Sequence, residues 1–139
     1  AKPACSVAPV ALTPDELGDA WQDNRIDLPL HVTLNGRPFG HAEGREMGYS
    51  FAELLAHAAQ SRDLVAGTVL GSGTVSNADG DKVGSSCLAE RRAIEMLETA
   101  APVTPWMRYG DRVRMEATAR DGAPLFGAID QKVVKGGRA

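Results

Sequence analysis

The sequence predicts an α+β fold that is mostly β, and three observations carry that expectation. Leu30, Val32 and Leu34 alternate with His31 and Thr33, the two-residue period of a half-buried strand. Asn35-Gly36 follows at once and is a strong two-residue hairpin signal. Only one stretch has a clean helical stripe: Phe51, Leu54, Leu55 and Ala58 recur at i, i+3, i+4 and i+7. Several strands joined by hairpins, with one good amphipathic helix, describe α+β rather than alternating βα units.

The elements follow in chain order. Residues 7–12, interrupted by Pro9, read as an edge strand. Thr13, Pro14 and Glu16 supply an N-cap, an N1 proline and a capping-box carboxylate for a short helix that Gly18 should end. After the hairpin at Asn35-Gly36, residues 37–39 are the return strand, with Pro38 placing it at an edge. Ser50 and Glu53 cap the amphipathic helix, expected over about 50–62. Residues 65–70 resume strand character, and a Gly-, Ser- and Asp-rich run then breaks periodicity for about fifteen residues. Residues 87–98 are ambiguous: their Ala, Leu, Glu, Arg and Met favour helix, yet Leu88, Glu90, Arg92, Ile94 and Met96 also share one face of an extended strand. Gly110-Asp111 and Asp121-Gly122 turn into final strands at 112–117 and 125–134.

Composition narrows the classes. The chain has 139 residues, 43% hydrophobic and 24% charged, and its mean hydropathy is −0.20. That suits one soluble domain spanning residues 1–139 and excludes a disordered chain. No apolar run approaches the roughly 20 residues that span a bilayer, so no membrane is expected. A net charge of −3, with Arg91-Arg92 set among Glu90, Glu95 and Glu98, argues against nucleic acid as partner. Cys5 and Cys87 lie far apart with no CxxC partner and are expected to be buried thiols in a reducing cytoplasm.

Three features can carry chemistry. The loop Gly71-Ser72-Gly73-Thr74-Val75-Ser76-Asn77 offers close backbone approach and hydroxyls for a carboxylate or phosphate; it also reads as a plain glycine-rich turn. Ser76 occupies the third glycine position of a dinucleotide fingerprint, and no Gly-Lys-Ser/Thr ending makes it a P-loop. Glu90 can orient a base or hold a metal, or be a solvated glutamate. His31, His41 and His57 lack metal-ligand spacing to one another and are expected at the surface.

Together, the run REMGYSFAELLAHAAQSRDLVAGTVLGSGTVSN, then GSSCLAERRAIEML, MRYGDRVRMEA and PLFGAIDQKVV, resemble the fumarylacetoacetate hydrolase family, above all its bacterial members. The order of motifs matches, and the likeness runs from Lys2 to about Val134. The resemblance implies a mixed β-sandwich or roll, usually a homodimer. It implies a hydrolase that cleaves a carbon–carbon bond in a β-diketo acid such as fumarylacetoacetate or an acylpyruvate. In the family a Mg²⁺ or Ca²⁺ binds the diketone oxygens, and a His–Glu pair activates water.

Residue by residue, Thr74, with Gly73 and neighbouring backbone, matches the threonine that receives the substrate carboxylate. Glu90 matches the glutamate that orients the catalytic histidine, with Glu95 as rival, and Lys2 matches the active-site lysine. The family's histidine and metal carboxylates lie upstream of that lysine, so the resemblance implies the C-terminal part of a larger catalytic domain, without metal ligands and inactive alone. It further implies that residues 86–92 are extended and that an apolar patch and open strand edges are exposed. Hydratase, decarboxylase or tautomerase action on 2-keto acids shares the scaffold. A non-catalytic module that assembles with a complete subunit is the alternative from another class.

Overall fold

The computed structural model describes residues 5–136, so Lys2 lies outside the described residues. The fold is α+β, with two antiparallel sheets and a few short helices. Helix α1 (Pro14–Leu17) opens the described part, its capping box formed by Thr13 and Glu16 as the sequence predicts. A small hairpin of β1 (Trp21–Gln22) and β2 (Arg25–Ile26) follows. Asp23 and Asn24 turn it with positive φ, a conformation that the short polar Asx side chains tolerate.

The main sheet runs in the order β4-β3-β5-β6, from β3 (Pro29–Leu34), β4 (Arg37–Glu43), β5 (Arg112–Thr118) and β6 (Pro124–Lys132). Asn35 and Gly36 both take positive φ, as the hairpin signal requires. The return strand is longer than 37–39 and reaches Glu43; Pro38 is accommodated at the sheet edge, opposite Thr33 where the register shifts. Alternation sorts the two faces. Leu30 faces Ala42 and Ala117, Val32 faces Met115, and Leu34 faces Val113. On the other face His31 meets His41 and Glu116, and Thr33 meets Arg114. Arg112 and Arg114 there pair with Asp130 and Glu116, which lowers the Asp130 carboxyl pKa, chiefly through Arg112. Leu28, Val32 and Ala42 are the buried apolar centre.

Helix α2 (Phe51–Ala59) is shorter than the expected 50–62 and carries the predicted capping box, Ser50 to Glu53. The Ser50 backbone N–H and hydroxyl both donate to Glu53 Oε2, at 2.8 and 2.7 Å, holding that carboxyl below its usual pKa. Residues 65–70 form turns and coil, not a strand: a strand persists only where a ladder partner takes its amides. Residues 7–12 likewise form no strand, and Val10 N–H donates once to the Phe126 carbonyl of β6, at 3.1 Å.

Helix α3 (Gly80–Val83) breaks the long loop, and α4 (Leu88–Thr99) follows. The expected extended course of residues 86–92 is therefore corrected: Cys87 is the last extended residue, with φ −143° and ψ 134°, and the helix starts at Leu88. Helix propensity, ambiguous on the sequence alone, prevails there. Helix α4 ends at Ala100 in the left-handed region, whose N–H donates to the Met96 carbonyl.

Candidate functional site

The glycine-rich loop is fixed to the sheet at two points and tied once within itself. Gly40 on β4 and Gly84 form an isolated antiparallel bridge, and Ser85 N–H donates to the Phe39 carbonyl at 3.3 Å. A Cβ on Gly40 would meet the Ser85 carbonyl oxygen at 2.2 Å, so only glycine permits this crossing. Upstream, the Asn77 amide accepts from Glu43 N–H at 2.7 Å and donates to the Glu43 carbonyl at 2.9 Å, imitating a strand residue at the sheet edge. The third tie is internal: Ser86 Oγ donates to the Val75 carbonyl at 2.6 Å.

These ties place Thr74 and Glu90 on either side of Ser76. Thr74 is exposed and lines a cavity of about 310 Å³ with Ser72, Val75, Ser76 and apolar side chains that include Leu28, Leu30, Phe51, Leu54 and Phe126. No charged side chain lines it. Gly73 takes φ +84° with open space around it, turning the loop at that rim. Glu90 lies in the first turn of α4, not in a strand, and Ser76 Oγ donates to its Oε1. Its other oxygen, Oε2, is buried with no hydrogen-bond partner among the described residues. Glu90 lines a second, more polar cavity of about 390 Å³ with Ser76, Asn77, Asp81 and Glu98. Ser76 is shared by both cavities, so the cavity lined by Thr74 and the one lined by Glu90 meet at one hydroxyl.

Glu95, the rival for Glu90, has a structural task. It is buried and accepts from Val103 N–H at 2.8 Å, Thr104 N–H at 2.9 Å, Thr104 Oγ1 at 2.5 Å and Arg91 Nε at 3.2 Å. These donors, the Thr104 hydroxyl foremost, hold its pKa down at about 2. Arg92 donates to the Thr104 carbonyl and stacks 4.6 Å over the Trp106 ring, so the same segment is anchored twice. The local signal was Thr104 itself, a hydroxyl just before Pro105.

His31, His41 and His57 are exposed, as expected, and none lines either cavity. Cys5 is exposed and Cys87 half-buried, both as free thiols, which corrects the expectation that both are buried. Cys87 lines a third, apolar cavity of about 510 Å³ with Trp106 and Met107. Among the described residues no group of three or more His, Cys, Asp or Glu is placed to hold a metal ion, and no helix is long and apolar enough to cross a membrane.

The arrangement defines an α+β domain with a hydroxyl-bearing loop at the mouth of an apolar cavity and a carboxylate behind it. The family model described as "Fumarylacetoacetate (FAA) hydrolase C-terminal" matches residues 1–134. The chain belongs to the fumarylacetoacetate hydrolase family, in its C-terminal domain, an enzymatic superfamily of hydrolase and lyase type that is generally metal-dependent. Comparison with curated proteins gives no match.

Proposed function

We propose that this chain supplies the carboxylate-receiving and glutamate elements of a site that cleaves a carbon–carbon bond in a β-diketo acid. An acylpyruvate or fumarylacetoacetate is the substrate class. The observation that carries the reading is the placement of Thr74 at the rim of an uncharged cavity with Glu90 one hydroxyl away. Thr74 and the Gly73 backbone receive the substrate carboxylate, and the cavity takes the acyl arm. The buried, unpartnered Oε2 of Glu90 is an acceptor for the N–H of an imidazole that draws a proton from water. Water adds to the carbonyl carbon, the carbon–carbon bond breaks, and its electron pair leaves as an enolate that is then protonated.

The described residues do not make a Mg²⁺ or Ca²⁺ cage. The metal ligands, like the histidine, belong to residues upstream, and Lys2 is the cation for the enolate. The surface supports a partner for this part of the fold. At 10,092 Å² it exceeds the roughly 7,000 Å² of a compact monomer of this mass by about 3,000 Å². Val69 and Leu97 are 91% and 88% exposed. The assembled enzyme is a cytoplasmic homodimer in this reading.

The same surface also favours the second reading, a non-catalytic module that assembles with a complete subunit. Hydratase, decarboxylase or tautomerase action on 2-keto acids would use the same Thr74 and Glu90. The test expresses the chain alone and with its upstream coding sequence, and follows loss of acylpyruvate absorbance with Mg²⁺. The expected result is turnover only in the extended protein, lost in Glu90→Ala. An extended protein that turns over equally with Glu90→Ala refutes the site; cleavage by the 139-residue chain refutes the assignment of the metal to upstream residues.

A further inference from the structure

We infer that Ser76 is a positioning residue: its hydroxyl fixes the rotamer of Glu90, and the ties on either side of it make that hydroxyl a rigid reference point. The inference rests on the functional reading above. Glu90 sits near the start of a helix with a long side chain that has several rotamers available, and an active-site carboxylate must be held within a fraction of an ångström. Among the described residues the only hydrogen-bond partner of that carboxylate is Ser76 Oγ. Ser76 itself stands between two fixed neighbours. The Val75 carbonyl before it is held by Ser86 Oγ at 2.6 Å, and Asn77 after it is held at both ends by the Glu43 backbone.

The consequence for chemistry is a division of the two carboxylate oxygens. Oε1 is occupied by Ser76 and anchors the group; Oε2, buried and unpartnered, is left to do the work. Ser76 also lines the Thr74 cavity, so the fixed anchor of Glu90 stands at the edge of the space that takes the substrate.

The test uses the extended, active protein with Ser76→Ala and Ser76→Thr. Ser76→Ala is expected to lower kcat about 10-fold with KM within about 2-fold, since truncation acts on the glutamate and leaves the carboxylate site intact. Ser76→Thr, which keeps the hydroxyl, should restore most of kcat. Ser76 is exposed, so both variants should melt with wild type. In the 139-residue chain the Glu90 13Cδ resonance should move in Ser76→Ala while that of Glu95 stays. An unmoved Glu90 resonance overturns the contact. A moved resonance with kcat unchanged, or equal loss in Ser76→Ala and Ser76→Thr, overturns the positioning role. Failure of the functional reading shows separately, as a wild-type extended protein that turns over no β-diketo acid, and takes the role of Ser76 with it.

Discussion

An alanine at position 40 would set its Cβ 2.2 Å from the Ser85 carbonyl oxygen, 2.6 Å from its carbon and 2.7 Å from its nitrogen. An ordinary contact needs about 1 Å more, and the steep repulsive wall cannot absorb that difference. All three opposing atoms are backbone, so no rotamer change relieves the clash. The crossing must open, which removes the Gly40–Gly84 bridge and the Ser85 N–H bond to Phe39. Overpacking of this kind costs about 1–3 kcal/mol and a lost hydrogen bond about 1 kcal/mol more. For a domain of this size the sum lowers the melting temperature by about 10 °C. Far-UV circular dichroism on heating, with a urea titration whose slope stays unchanged, measures it. Gly48→Ala is the control, because its Cβ enters open space and should shift melting by no more than about 2 °C. A Gly40→Ala protein that melts with that control refutes the close crossing.

Two further outcomes follow from the capping box and from Glu95. Ser50→Ala removes the acceptor for Glu53 N–H and one of the two donors to the Glu53 carboxylate; it should cost about 1 kcal/mol in urea titration, and an unchanged midpoint refutes the cap. Glu95 is depressed from 4.5 to about 2 in the folded protein, so its stabilisation is complete above pH 4.5 and is lost as pH falls toward 2. Melting temperature should fall over that window in wild type and less steeply in Glu95→Gln, and parallel curves for the two refute the assignment.

What the sequence made legible was local. The Asn35-Gly36 turn and both capping boxes rest on interactions within a few residues, and the strands at β3, β5 and β6 announce themselves by local alternation or flanking turns; all appear where pattern reading puts them. The ends of the elements depend on partners far along the chain. Residues 65–70 have the composition of a strand, but no neighbouring strand offers them a ladder. Residues 86–92 went the other way: their helix propensity was visible, and the alternation of Leu88, Glu90, Arg92, Ile94 and Met96 together with the family likeness argued for an extended course. At the site, Thr74 and Glu90 were legible as residues, whereas Ser76 was read as one hydroxyl of the loop and a failed glycine, with no link to Glu90. Its value comes from a contact fourteen positions away and from ties that no spacing rule reveals.

The Asn35-Gly36 turn also has a chemical lifetime. Asparagine is thermolabile, and a following glycine leaves the path open for backbone nitrogen to attack the side-chain amide. Here that amide is a joint between hairpins: it donates to Asp111 Oδ1 at 2.9 Å and accepts from Arg112 N–H at 2.8 Å. Deamidation would replace the donor with a second carboxylate facing Asp111, turning an attraction into a repulsion at the point where β3 meets β5. Deamidation at this corner would show as a gain of one negative charge.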